Sequence, residues 1–163
     1  MAGIGKYAYV LKCKLAVAGL RKVDDSLRLA RAVRRLGDAY HYAGQALLAE
    51  PCYVEALMIY RSHEDRRPLD LANAIRSFAA LKDEVGEAEE AEHLWREAHD
   101  LYVSVDEPAG VAESAARLAL LARRQGDPQL SREWLDGAIT AAASADDPET
   151  RRYIDEVRAQ IEG

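Results

Sequence analysis

From residue 26 onward, apolar residues recur at three- and four-residue intervals, the period of a helix buried along one face. Leu29, Val33, Leu36 and Tyr40 make the first such stripe. Asp25 or Ser26 stands where its N-cap belongs, and Gly44 fits the left-handed position that ends it. Leu48, Ala49, Tyr53, Ala56 and Tyr60 form a second stripe, with Pro51 close enough to its beginning to mark the first turn. Further helices run from Pro68 to about Val85, from Ala91 through Leu94, Trp95, Ala98, Leu101 and Tyr102, from Pro108 to Gln125, and onward from Asp127-Pro128. The last opens at Asp147-Pro148 and carries Tyr153, Ile154, Val157 and Ile161 on one side, with Arg151, Arg152, Asp155, Glu156 and Arg158 on the other. One apolar and one wet face is what the end of a helical stack requires.

These helices share a register. Pro68, Pro108 and Pro148 lie 40 residues apart, Gly86 and Gly126 also 40, and Gly44 precedes Gly86 by 42. The same offsets align Ala30, Ala72 and Ala112; Leu36, Phe78 and Leu118; Tyr53, Trp95 and Leu135; and Ala56, Ala98 and Ala138. Coincident alanines mean little in a chain with 30 of them, but aligned aromatics, glycines and prolines mark a repeat. The expected fold is therefore all-α, with three helix-turn-helix units at about 26–63, 68–105 and 108–145 and a capping helix at 148–162. Small residues at the crossings let helix backbones approach, and the neighbouring aromatics fill the space that remains. Residues 1–24 are less legible. Tyr7, Tyr9, Leu11, Cys13, Leu15 and Val17 alternate as in a strand, but Ala8, Val10, Ala16 and Ala18 erase the polarity contrast. A lone strand has no partner among helices, which leaves a helix or an arm.

The units resemble the tetratricopeptide repeat (TPR) family. Leu36-Gly37-Asp38-Ala39-Tyr40 matches the family's Leu-Gly-x-x-Tyr core, and Gly44, Ala49, Tyr53 and Ala56 follow at the family's spacing. The second unit keeps Gly86, Ala91, Trp95 and Ala98 but has Phe78-Ala79 and Lys82 at the core, and the third keeps Gly126 and Ala138 with Leu118-Ala119. A 40-residue period is similar to that of the longer-helix variants. The resemblance covers about residues 26–163 and implies an α-solenoid that binds a peptide or protein partner in a concave groove lined by the first helix of each unit. On those helices the polar stripes are Arg31, Arg34, Asp38 and His41; then Asn73, Arg76, Ala80 and Asp83; then Glu113, Ala116, Leu120 and Arg123. Arg31, Arg34 and Arg76 suit an acidic or phosphorylated segment, because a guanidinium makes paired hydrogen bonds to oxyanions. Asn73 is placed to hold a ligand backbone and Tyr42 to offer a flat contact at the rim. Asp38 would repel a terminal carboxylate, which argues against the carboxylate clamp used by some members. The alternative is an oligomerisation or regulatory domain of a larger signalling or transcriptional system, acting through its convex face.

Charge adds to this picture. The chain has 22 Lys+Arg and 28 Asp+Glu, a net charge of −6, which is unsuited to nucleic acid. Residues 1–40 nevertheless hold nine Lys/Arg and three Asp/Glu, a basic end that invites self-association or an acidic partner. No apolar run is long enough for a membrane span; the one stretch with the look of a signal core, Leu15-Ala16-Val17-Ala18-Gly19-Leu20, is too short, and Lys12 and Lys14 interrupt what precedes it. Cys13 and Cys52 read as reduced thiols of a cytoplasmic protein. His41, His63, His93 and His99 lack the i, i+3 or i, i+4 pairing of a helical metal site, and no phosphate-binding, dinucleotide or nucleophile-elbow motif occurs. His63-Glu64-Asp65 reads as a hydrated linker, and Glu87, Glu89, Glu90 and Glu92 as a solvated face. The residues thus point to a non-enzymatic module without metal or cofactor.

Overall fold

A computed structural model describes residues 2–163, with side chains from Gly5 onward, so Met1 of the 1–24 segment lies outside the described residues. The described residues form eight helices and no strand: α1 (Ala2–Leu20), α2 (Ser26–Tyr42), α3 (Ala46–Ser62), α4 (Pro68–Glu84), α5 (Ala88–Ser104), α6 (Pro108–Arg124), α7 (Pro128–Ser144) and α8 (Pro148–Glu162). The segment left open as helix or arm is helical, as α1.

Caps and turns set the boundaries. The carboxylates of Asp25, Asp127 and Asp147 accept from the first-turn N–H groups of α2, α7 and α8. Proline occupies the first turn of α4, α6, α7 and α8, where its missing N–H costs nothing. Gly44, Gly86 and Gly126 have φ of 74°, 85° and 83°. Behind each, the following N–H reaches back five residues to close the helix: Gln45 to Tyr40 O, Glu87 to Lys82 O and Asp127 to Ala122 O, each at 2.9 Å. Asp106, φ 52°, serves the same turn after α5, with Glu107 N donating to Tyr102 O at 3.0 Å. Pro51 departs from the expectation. It lies inside α3, which begins at Ala46, so it marks no first turn. Its ring is exposed, where solvent can satisfy the carbonyl it leaves without a donor.

The chain divides into two compact units, Met1–Glu87 and Ala88–Gly163. In the first, α2 and α3 form a hairpin, α1 packs on α2, and α4 packs on α3 and α2. Its interior includes Ala30, Val33 and Leu36 from α2, Ala49, Tyr53, Ala56 and Tyr60 from α3, and Leu71, Ala72, Ile75 and Phe78 from α4. In the second unit, α6 and α7 form the hairpin, α5 packs on α6, and α8 packs on both α6 and α7. There Ala112, Ala115, Ala116 and Ala119 bring α6 close to Leu135 and Ala138 of α7 and to Ile154, Val157 and Ile161 of α8. Ala116, read from the sequence as part of a groove stripe, is fully buried in this cluster.

Candidate functional site

The stripe on α2 lies against its neighbours, and its charges are largely matched within the first unit. Arg31 donates to Asp70 Oδ2 of α4 at 3.0 Å, and Arg67 donates to both oxygens of the same carboxylate at 2.9 and 3.0 Å. The hydrogen bonds from Arg67, aided by Arg31, hold the Asp70 carboxyl below the usual carboxylate range. One turn along α2, Arg34 Nη1 donates to Asp38 Oδ2 at 2.7 Å, and the Tyr53 hydroxyl donates to Asp38 Oδ1 at 3.0 Å. Burial, reinforced by the Asp38 charge, pushes the Tyr53 phenol far above its ordinary value, so it remains a donor. His41 Nε2 lies 2.6 Å from Glu84 Oε2 of α4. Two polar contacts, Arg31 to Asp70 and His41 to Glu84, therefore tie α2 to α4 at both ends of the shared face.

The remaining expected residues fall around this face. Asn73, Arg76 and Asp83 are half-buried on α4, each with interactions of its own. Tyr42, 67% exposed, ends α2; Lys6 of α1 lies 4.4 Å from its ring centroid and donates to its carbonyl at 3.1 Å. The structure brings Arg31, Arg34, Asp38 and His41 onto one α2 face beside α4. It sets Tyr42 apart, beneath α1. Asp38 is committed to Arg34 and Tyr53, a role that the sequence spacing did not show because Tyr53 lies 15 residues away.

A second surface was not read from the sequence. α3 turns Leu47, Pro51, Val54 and Met58 outward at helical spacing, with Leu47 89% and Met58 68% exposed. Leu48, placed by its periodicity in the core stripe, is itself 48% exposed. α1 exposes Tyr7, Leu11 and Leu15 at intervals of four while Val10, Cys13 and Val17 are buried. Arg21, just past the end of α1, pairs with Glu55 of α3 at 2.9 Å, and a shallow cavity of about 210 Å³ opens between Tyr7, Leu11 and Lys14 of α1 and Leu48 of α3. Of the twelve large apolar side chains exposed among the described residues, all but Val103 belong to the first unit. The signal for this surface was the four-residue apolar spacing in α1, which α1's equally apolar inner side disguised.

Other aromatic and ionisable side chains have structural roles. Trp95 is fully buried, and Trp134 packs against the second unit's core, with its ring edge-on to His99 at 5.2 Å. Burial pushes the His99 imidazole below its usual range, and its Nδ1 lies 3.0 Å from the Ser114 hydroxyl. His63 folds back on the end of α3, its Nδ1 at 2.8 Å from Ile59 O. Glu92 accepts from Arg96 and Gln125. Among the described residues no three His, Cys, Asp or Glu side chains gather as a metal site would require, and no helix is long and apolar enough to cross a membrane. Cys13 and Cys52 are both free thiols.

No protein-family model matches the sequence, and no curated protein does. Solved structures do match in shape. The apo form of RapI superposes with a TM-score of 0.78 at 14% identity, over 98% of this chain and 62% of its own. The TPR-like repeats of a putative kinesin light chain from Podosopora anserina give 0.73 at 19% identity, over 93% of this chain and 75% of that one. Aspartyl phosphate phosphatase F from Bacillus subtilis gives 0.72 at 19% identity, over 81% of this chain but only 34% of that one. At such identities the likeness concerns the course of the backbone, and it agrees with the glycine turns, the small-residue crossings and the Leu36-Gly37-Asp38-Ala39-Tyr40 core. The chain has the TPR-like, all-α helical-repeat fold.

Proposed function

We propose that this chain is a non-catalytic protein–protein interaction module that takes its partner on the first unit. The observation that carries the reading is the crowding of exposed apolar side chains there: eleven of twelve lie on α1 to α4 and their connections. Exposed apolar surface gathered on one part of a molecule marks an interaction site, whereas scattered single residues do not. The TPR-like fold, whose structural neighbours include the kinesin light chain repeats, supports the same conclusion.

Within this reading the α2/α4 face takes an extended or helical segment, with Arg31, Arg34, Asp38, His41, Asn73, Arg76 and Asp83 as its lining and Tyr42 left outside it. An acidic segment binds by exchange, because its carboxylates compete with Asp70 and Asp38 for Arg31 and Arg34. Each exchange returns little, since partly exposed ion pairs are worth about 0–1 kcal/mol. Affinity is then modest and falls with salt. Titration with acidic, neutral and basic peptides of equal length, followed by backbone-amide shifts, tests this. The acidic peptide should shift α2 and α4 and weaken on Arg31→Glu. Equal binding of all three peptides, or shifts confined to α1 and α3, would remove the acidic groove.

A second reading is favoured by the α1/α3 surface itself. Its apolar side chains are unspent, whereas the groove charges are engaged with one another. It suits an oligomerisation or regulatory domain that joins a second copy or another protein through α1 and α3.

A further inference from the structure

The 82-residue register that aligns Ala30 with Ala112 and Tyr53 with Leu135 also aligns α1 with α5. The buried residues of α5 are Ala91, Leu94, Trp95, Ala98 and Tyr102. Their counterparts on α1 are Tyr9, Lys12, Cys13, Ala16 and Leu20, and all five line one cavity of about 340 Å³ between α1 and α2. In the second unit the matching space is filled. The Trp95 indole lies there with the Arg117 guanidinium 5.9 Å from its ring, and Tyr102 packs so closely on Gly110 that a Cβ at that glycine would come within 2.4 Å of the phenol ring. In the first unit Cys13 replaces the indole and Leu20 the phenol, while Arg28 stands where Gly110 would be. The cavity is a half-open groove that lacks the aromatic filling of its counterpart: Tyr9, Lys12, Ala16 and Arg28 are exposed where Ala91, Leu94, Ala98 and Gly110 are buried.

Its walls are also charged in one sense. Lys12, Arg28, Arg31 and Arg35 line it, and no carboxylate does. Arg28 and Arg31 have carboxylate partners outside the cavity, Asp25 at 3.8 Å and Asp70 at 3.0 Å. Lys12 and Arg35 meet no carboxylate among the described residues. Arg35 occupies the register position of Arg117, the residue that covers Trp95 in the second unit.

We infer that the α1/α2 cavity binds a small aromatic anion, a flat ring carrying a carboxylate or phosphate, as a free ligand of the module. The ring takes the place that Trp95 fills in the other unit, beneath the Arg35 guanidinium, where cation–π attraction adds to apolar burial. The anionic group meets Lys12 and Arg28, whose charges are otherwise unopposed inside the cavity. A neutral ring leaves those charges unmatched, and a bare anion leaves the apolar floor of Ala16, Leu20 and Ala32 open. The volume is at the small end of the range of ligand pockets. This site shares Arg31 with the proposed α2/α4 partner face, whereas Tyr9, Lys12, Cys13, Arg28 and Arg35 lie outside that face.

The test uses the intact chain with indole-3-acetate and phenyl phosphate as probes, and indole and inorganic phosphate as ring alone and anion alone. Binding is read by calorimetry and by backbone-amide shifts. At least one aromatic anion should bind one to one, about tenfold more tightly than indole or phosphate, with shifts centred on α1 and α2. Cys13→Trp, which restores the second unit's filling, should abolish binding. Arg35→Gln, an exposed position that leaves the core untouched, should weaken it about tenfold and keeps the test decisive if the tryptophan variant misfolds. Indole binding as well as indole-3-acetate would reduce the cavity to an apolar hole and overturn the inference. Phosphate binding as well as phenyl phosphate would reduce it to a charged patch, with the same consequence. Absence of binding by either aromatic anion, or shifts outside α1 and α2, would also overturn it. A peptide ending in tryptophan that bound more tightly than indole-3-acetate would assign the cavity to a partner's side chain instead of a free ligand.

Discussion

At the scale of single residues, the clearest constraint is the meeting of Gly37 with Tyr53. A Cβ on Gly37 would lie 2.7 Å from the Tyr53 ring. The ring has little room to yield, since it is 1% exposed, lies against Phe78 and has its hydroxyl held by Asp38. Gly37→Ala is therefore expected to cost about 1–3 kcal/mol, the usual penalty for overpacking. In the second unit the same register positions hold Ala119 and Leu135, where a smaller partner leaves room for the methyl. Adding Tyr53→Leu to Gly37→Ala should thus recover part of the loss, and a urea-denaturation cycle of the two single variants and the double reads the coupling directly. The glycine was legible as part of the Leu-Gly-x-x-Tyr core. The purpose of its neighbour Asp38 was not, because the groups that occupy it are set by packing between helices. His99 gives a pH signature. Burial lowers its pKa in the folded state, opposed in part by Asp100 and by a hydrogen bond involving the Val111 backbone. As pH falls below the unfolded value of about 6.5, the unfolded chain takes up a proton that the folded chain resists, so stability declines. The urea midpoint should fall between pH 7.5 and 5.5, and His99→Gln should flatten that slope. The depressed carboxyl of Asp70 acts in a separate, more acidic window: its stabilisation is present above its unfolded value of about 3.9 and is lost as pH drops through the lower folded value.

Among the elements, helix ends were the most readable feature and α1 the least. Proline after an aspartate or other polar residue announced α4, α6, α7 and α8, and the three glycines announced three of the stops, because caps are local chemistry. α1 conceals its period for a physical reason: Val10, Cys13 and Val17 face α2 while Tyr7, Leu11 and Leu15 face solvent, so both sides are apolar. Pro51 misled because a helix tolerates a proline on its exposed side when neighbouring packing holds it. The final helix shows how much one cap carries. Asp147 accepts from the N–H groups of Glu149 and Thr150 and from the Thr150 hydroxyl. Its carboxyl is held below the usual range by those hydrogen bonds, that of the Thr150 hydroxyl foremost. Asp147→Ala should destabilise the first turn of α8, which loses these acceptors. Because α8 is terminal, the loss should appear first as faster amide exchange along α8, reaching Ile154 and Val157, before any change in α6 and α7. Uniform acceleration across all three helices would mean that α8 and its hairpin unfold as one.

Across the whole chain, the repeat register was legible because it is written in prolines, glycines and aromatics 40 and 42 residues apart. Which part of the molecule is left unsatisfied was not, since exposure depends on what packs where. The two units differ in kind. Met1–Glu87 holds 14 Lys/Arg and 11 Asp/Glu, a net charge of +3, whereas Ala88–Gly163 holds 8 and 17, a net charge of −9. The second unit leaves only Val103 of its large apolar side chains exposed and carries an excess of carboxylates. The first is close to neutral and leaves Leu47, Val54, Met58, Tyr7, Leu11 and Leu15 in contact with water. Exposure of that kind adds nothing to the stability of the isolated chain. Removing it should therefore cost nothing in folding and everything in association. Leu47→Glu combined with Met58→Glu places two charges on the α3 surface at positions 89% and 68% exposed, where no core contact is lost. The thermal midpoint should stay within a few degrees of the parent, since exposed substitutions are usually within about ±0.5 kcal/mol. If α1 and α3 form the interface, sedimentation of the parent at rising concentration should show a dimer that added salt fails to dissolve, because apolar burial is not screened, and the double variant should remain monomeric throughout. A parent monomeric at every concentration would limit the surface to a different protein as partner. A parent dimer that melts in salt and survives the two glutamates would transfer the contact to the basic end around Lys12, Arg28 and Arg35, and take the apolar face out of the account.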